Sequence, residues 1–224
     1  MKLPRPPAAV LFDMDGLIFD TEALYRTALI SVAGEARYEM TDALFQQMIG
    51  SPWPTNRAFL LGHFGADYPA DVIREASHQR LREMTAATPF LKSGVIELLD
   101  ALADWGLPHA IATSSSHDTV QEHLADHDLA HRFPVVIAHG DYNHGKPAPD
   151  PFLTAAARLG VAPQDCVALE DSHNGVRSAA AAGTMTIMVP DLLDATQEMC
   201  GLCTRVAADL HDVREIIRAT LSDT

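Results

Sequence analysis

The sequence predicts an α/β fold, a doubly wound parallel sheet with an inserted α-helical cap, on three observations. Five short apolar runs, at 8–12, 109–113, 135–138, 166–169 and 185–189, are unalternating and rich in Val, Ile, Leu and Ala. That is the pattern of strands buried on both faces. Helical patterns lie between the later runs, and strands that alternate with helices build parallel sheets. The first and second runs stand roughly 100 residues apart, where an ordinary β-α-β step takes about 30.

Taken in order, the run at 8–12 leads into Asp13-Met14-Asp15-Gly16. From Thr21 to about Thr88 the pattern is helical, with breaks at 50–54 and 65–69 marked by Gly and Pro. The chain therefore divides into a core of residues 1–19 and 89–224 and a helical cap of 20–88. Such an insert would lie over the carboxyl edge of the sheet, where open α/β folds bind ligands. An amphipathic helix is expected over 94–105. Ser116 is the expected cap of a helix over 117–129. A helix over 151–159 should open with Asp150 as its cap and proline in the first position. The alanine-rich stretch 174–182 reads as a helix stopped by Gly183.

The bulk numbers set limits on function. A chain of 224 residues suffices for one sizeable domain with a smaller insert. With 47% hydrophobic and 21% charged residues it lies far from the disordered regime. No apolar stretch reaches the ~20 residues of a membrane span. The start, MKLPRPPAAVLFD, has no apolar signal core, so a cytoplasmic location is expected. The net charge of -14 argues against a grip on nucleic acid, which needs basic groups on phosphates. Cys200 and Cys203 form a C-x-x-C without a second pair or nearby histidines, which is poor zinc evidence; ordinary packing is expected. A monomer is expected too, since no interface pattern stands out.

The chemistry-bearing residues sit just past the apolar runs. Asp13 and Asp15 follow the first; Ser114, Ser115 and Ser116 follow the second; Lys146 comes shortly after the third; Glu170 and Asp171 end the fourth. In a parallel sheet these segments converge on one edge. Asp13, Asp15, Glu170 and Asp171 would then crowd negative charge, and two charges ~4 Å apart repel by about 4 kcal/mol at an effective dielectric of 20. A cation relieves this, and hard carboxylate oxygens without His or Cys favour Mg²⁺ over zinc. Lys146 adds a second positive charge and Ser114 a neutral phosphate donor. Asp13 and Asp15, two apart, can point to one side. One carboxylate can attack phosphorus while the other serves as acid and base. A bare D-x-D-G turn is the bland alternative for the pair alone.

Together these residues resemble the haloacid dehalogenase superfamily. FDMDGLIFDTE is similar to its first motif, ATSSS to its second, GKPAPDPF to its third and EDSHNG to its fourth. The resemblance implies a Rossmann-like core and a helical cap of the first type. It implies Asp13 as nucleophile, Asp15 as acid and base, and Ser114 and Lys146 as phosphate binders. It also implies magnesium on the Asp13 carboxylate, the Asp15 backbone carbonyl and Asp171, with Glu170 assisting. Asp15 argues against carbon–halogen chemistry, and a cap without lysine excludes Schiff-base phosphonate hydrolysis. The β-phosphoglucomutases share all four motifs, but Tyr25 stands where their histidine falls, and Gly50-Ser51-Pro52-Trp53 lacks their arginine. The phosphatase branch of pseudouridine 5′-phosphatases and sugar-phosphate phosphatases is the better match. The expected substrate is a small phosphorylated metabolite: a sugar, polyol or nucleoside monophosphate. A non-hydrolytic phospho-acceptor would have no reason to carry the cap.

Ser115, Asn174, Gly50 and Trp53 are the expected substrate contacts, with Arg57 a weaker candidate for a second anionic group. His117, His139, His144 and His173 lie near motifs without metal-ligand spacing and read as loop residues. Because the net charge repels phosphate, magnesium, Lys146 and the helix N-termini near Ser116 and Ser172 must reverse the field locally.

Overall fold

The computed structural model of the chain describes residues 2–49, 53–87 and 90–222. The strands are β1 (Ala9–Phe12), β2 (His109–Ala112), β3 (Val136–Ile137), β4 (Cys166–Glu170), β5 (Met185–Met188) and β6 (Arg205–Val206). They form one sheet in the order β3-β2-β1-β4-β5-β6, and every neighbouring pair is parallel. The expected parallel sheet is therefore present, and each of its five expected strands lies within the run that predicted it or one residue beyond. The sixth was not expected. It has two residues at the sheet edge, both solvent-accessible, so it has no apolar run to announce it.

The chain forms two compact units, 1–19 with 91–224, and 20–90. In the first, Ala9, Leu11, Ala110, Ala112 and Ala168 point to one side of the sheet. There they bury Phe152, Ala155 and Ala156 of α7 (Asp150–Leu159) and Ala179 of α8 (His173–Ala181). Small side chains on these strands let the helices approach closely. Alternate residues turn to the other face, where Phe12 meets Phe133 edge-on at 5.7 Å. The helices α5 (Val95–Asp104) and α10 (Leu210–Leu221) pack on each other. α10 buries Leu210, Val213, Ile216, Ile217 and Thr220, an i, i+3, i+4 stripe.

The second unit is all helical: α1 (Thr21–Glu35), α2 (Asp42–Gln46), α3 (Trp53–Phe64) and α4 (Ala70–Ala87). The expected break at 65–69 is there. A further one separates α1 from α2, where Arg37 takes a left-handed turn at φ 67°. α1 and α4 pack together. Tyr25 stacks on His78 at 5.0 Å, and Arg80 pairs with Glu35 at 3.1 Å.

Two capping expectations differ in outcome. Ser116 caps α6 (His117–Asp126) by accepting the Thr119 N–H, and Asp128 ends that helix region at φ 54°. Asp150, however, is not the cap of α7. Pro149 precedes the helix, and the Asp150 carboxylate turns outward to accept the His144 N–H at 3.2 Å and pair with its ring at 3.1 Å. Asp150 is itself the first residue of the helix and so does not stand outside it as a cap. All three cysteines are free, and Cys203 packs against Val176, Met188 and Met199.

Candidate active site

β1 and β4 lie side by side at the point where the strand order reverses, the place where open α/β sheets leave a crevice. Phe12 pairs with Leu169, and the Asp13 N–H donates to the Leu169 carbonyl at 3.0 Å. Asp13 and Glu170 therefore stand level, one residue beyond the last paired rung. Met14 is fully buried, as strand alternation requires for its neighbours to share a side. Gly16 then turns the chain at φ 84°, its N–H donating to the Phe19 carbonyl at 2.8 Å. A side chain there would also collide, since a Cβ on Gly16 would lie 2.3 Å from Asp171 Oδ2.

Lys146 arrives from the segment after β3. Its Nζ donates to Asp13 Oδ1 and, at 2.6 Å, to Glu170 Oε1, and it lies 4.9 Å from the Phe152 ring centre. The side chain is only 7% exposed. Glu170 is wholly buried. Its second oxygen, Oε2, accepts the N–H of Asp171, the N–H of Ser172 and the Ser172 hydroxyl, each at 3.1 Å. Sequence reasoning offered the N-terminus of α8 near Ser172 to a bound phosphate. The N–H groups of Asp171 and Ser172 instead serve the protein's own Glu170, and Lys146 brings a full positive charge to the same carboxylate.

The loop after β2 supplies the serines. Ser115 Oγ donates to Asp15 Oδ2 at 2.7 Å, and its N–H is held by Thr113 Oγ1 at 3.0 Å. Ser114 is exposed beside the Tyr142 hydroxyl, which donates to the Thr113 carbonyl at 3.0 Å. The His139 N–H donates to the Ser115 carbonyl at 2.8 Å. The loops after β2 and β3 are thus stapled to each other.

Burial pushes the Asp13 carboxyl well above the usual carboxylate range. Lys146 works against that, while Glu170 and Asp15 add to it. Burial would lower the Lys146 ammonium, but the carboxylates of Asp13 and Glu170 outweigh it and raise it. The ammonium therefore stays charged while its carboxylate neighbours compete for positive charge. Asp13, Glu170 and Asp171 each offer an oxygen within 4.8 Å of the others. Such crowding suits a hard divalent cation. The residues fit a metal ion, and because Glu170 already accepts four hydrogen bonds, Asp13 and Asp171 are the carboxylates that could hold one.

Asp13, Asp15, Ser115, Lys146, Glu170 and Asp171 are thus joined in one unit, with Ser114 at its rim. Other expected contacts have different occupations. Asn174 Oδ1 accepts from Arg177 at 3.0 Å, and Arg177 forks onto Glu198 with two 2.7 Å bonds. Trp53 donates its indole N–H to Asp71 at 3.0 Å and carries Arg74 over its ring at 4.8 Å. Arg57 also pairs with Asp71, at 2.8 Å. Gly50 lies outside the described residues. His117 pairs with Asp141, and His173 meets the Asp194 carbonyl, so these histidines serve loops. Asp191 and Tyr142 were missed. Asp191 follows the fifth apolar run and was open to the same strand-end reasoning, whereas nothing in the sequence marks Tyr142.

A family model for haloacid dehalogenase-like hydrolases matches residues 7–183. The chain is 34% identical over 220 residues to a Drosophila melanogaster protein named probable pseudouridine-5′-phosphatase, covering 95% of this chain and 94% of that one. It is 34% identical over 183 residues to the fructose-1-phosphate phosphatase YqaB of Escherichia coli, covering 79% and 93%. Among solved structures, CbbY from Rhodobacter sphaeroides in complex with phosphate superposes with a TM-score of 0.76 at 25% identity, over 92% of this chain and 96% of that one. No described helix is long and apolar enough to cross a membrane. From the parallel sheet, the four motifs meeting at its edge and these likenesses, the chain belongs to the haloacid dehalogenase-like hydrolases and is a hydrolase enzyme.

Proposed function

We propose that this chain is a magnesium-dependent phosphatase of small phosphomonoesters (sugar, polyol or nucleoside monophosphates) acting through a phosphorylated Asp13, with residues 20–90 as its cap. One observation carries the reading: the buried Lys146 ammonium lies between Asp13 and Glu170, where the Asp171 carboxylate also converges. A buried cation among carboxylates at a sheet's ligand edge, joined by a divalent metal, would counter a phosphate's charge, which a neutral substrate would not need. The relatives named as phosphatases support the same reaction class.

Magnesium would be held by the carboxylates of Asp13 and Asp171 and the Asp15 backbone carbonyl, with Glu170 steadying the site, and it would supply positive charge against the phosphate oxygens. Asp13 attacks phosphorus, the bond to the leaving oxygen breaks, and Asp15 gives that oxygen its proton. Ser115, at 2.7 Å from Asp15 Oδ2, keeps the carboxyl turned for this transfer. Water then attacks the phosphorus and gives its proton to Asp15. The Asp13–phosphate bond breaks, releasing inorganic phosphate and the Asp13 carboxylate. Lys146 offsets the charge on Asp13 and on the phosphate, with the Ser114 hydroxyl as a neutral donor.

The test is release of inorganic phosphate from a panel of sugar, glycerol and nucleoside monophosphates, with and without Mg²⁺. Metal-dependent release is expected, and Asp13→Asn should abolish it while leaving the circular dichroism spectrum unchanged. Near-normal turnover in that variant would refute the mechanism. An isomerised phosphosugar with little free phosphate would make the protein a mutase.

A further inference from the structure

The loop after β5 brings one more carboxylate to this edge. Val189 donates its N–H to the Glu170 carbonyl at 2.7 Å, which fastens the loop beside the end of β4, and Asp191 follows two residues later. Asp191 Oδ1 accepts from Lys92 Nζ at 2.6 Å. Lys92 is itself fixed, its backbone N–H donating to the Ile18 carbonyl at 2.9 Å, within the loop that carries Gly16. The other oxygen, Oδ2, is buried and accepts no hydrogen bond from any described residue. It lies 3.3 Å from the point where a Cβ on Gly16 would stand, and Asp171 Oδ2 lies 2.3 Å from that same point. Two carboxylates thus converge over the Gly16 α-carbon, one of them with a buried oxygen waiting for a donor. Carboxylates cannot donate to each other when ionised; a water polarised by a cation can donate to either.

We propose that Asp191 is a positioning residue of the metal site. Its Oδ2 accepts a hydrogen bond from water on the cation held by Asp13 and Asp171, and Lys92 keeps it turned for that contact. The inference rests on the reading of Asp13 and Asp171 as metal ligands. It assigns a task to a residue outside the four motifs, and it explains why a buried acceptor is tolerated. Groups just behind a metal's ligands commonly set its affinity by about 10- to 100-fold.

The experiment is calorimetric titration of the full, metal-stripped chain with Mg²⁺. Asp191→Asn should weaken binding by about 10- to 100-fold, and raise by a similar factor the Mg²⁺ concentration giving half-maximal turnover. Turnover should recover toward wild type at saturating Mg²⁺. Lys92→Met leaves the carboxylate but frees it, and should weaken Mg²⁺ in the same direction. That variant decides the matter if Asp191→Asn does not fold. Unchanged Mg²⁺ affinity in the folded variants, with only a lower melting temperature, would make the pair a plain ion pair and overturn the proposal. Asp171→Asn separates the two levels. If it too leaves Mg²⁺ binding intact, the metal reading itself fails; if it alone abolishes binding, only the role of Asp191 fails.

Discussion

Replacing Gly175 by alanine should destabilise the protein, although the same change in an ordinary helix stabilises it. Gly175 lies in the first turn of α8 with its α-carbon against the Glu170 carboxylate. A Cβ there would fall 1.8 Å from Oε1, 1.9 Å from Cδ and 2.1 Å from Oε2. Ordinary contacts are well over 3 Å, so the carboxylate must move by more than about 1 Å. It has nowhere to go. Glu170 is fully buried and is held by Lys146 on one oxygen and three donors on the other. Displacing it leaves the buried Lys146 ammonium with one carboxylate partner instead of two. Removing a partner from a buried ion pair costs about 3–5 kcal/mol, against a gain of roughly 0.5–1 kcal/mol for alanine over glycine in a helix. The net expectation is a loss of about 2–4 kcal/mol. Turnover should fall about 100-fold, the scale for a 1 Å misplacement of a catalytic group.

Urea unfolding read at unchanged slope measures the first quantity, and phosphate release the second. Gly34 in α1 and Gly62 in α3 provide the control, because neither has an atom within 4 Å of a new Cβ. Alanine at either should stabilise by about 0.5–1 kcal/mol. A Gly175→Ala protein that is as stable as those controls, with turnover within a few-fold of wild type, would refute the placement of Glu170 and the importance of its grip on Lys146.

Two further outcomes follow from the same geometry. Ser115→Ala removes the 2.7 Å donor to Asp15 and should lower kcat roughly tenfold with little change in KM, given that hydrogen bonds to charged groups contribute about 1.5–3 kcal/mol; a KM effect alone would make Ser115 a substrate contact instead. Burial lowers the pKa of His123 and of His78. The unfolded chain therefore binds protons first, and stability should fall as pH drops through about 6.5. His123→Phe, which keeps a ring against Phe19, should flatten the fall in melting temperature between about pH 7.5 and 5.5. The comparison belongs in an Asp13→Asn background, because a carboxyl held above its usual range acts on stability in the opposite sense to the histidines. An unchanged slope would contradict the burial argument.

The sheet was legible because parallel strands are buried on both faces and must be written in unbroken apolar residues. Every strand long enough to follow that rule was found. β6 escaped because both of its residues are solvent-accessible, whereas the equally short edge strand β3 buries Ile137 within an apolar run. Helix ends were legible where a side chain caps them, as Ser116 does, and misread at Asp150, where the carboxylate found a better partner in His144. Propensity at a cap is a local preference, and a loop folded against it can claim the same oxygen.

The site was legible for a stronger reason. A parallel sheet sends all its strand ends to one edge, so chemistry placed after each strand becomes a cluster whatever the sequence separation. That rule delivered Asp13, Lys146, Glu170 and Asp171. Spacing cannot show how one cluster divides its labour. Glu170 sits next to Asp171 in sequence and carries the same kind of charge. Yet the N–H groups of Asp171 and Ser172 fold back on its carboxylate, and Gly175 clears the room it occupies, so it faces Lys146. Which of two adjacent carboxylates is left to meet a cation depends on where the following backbone donors point. That is a property of the turn into α8, fixed by Ser172 and Gly175 and not by the acidic pair itself.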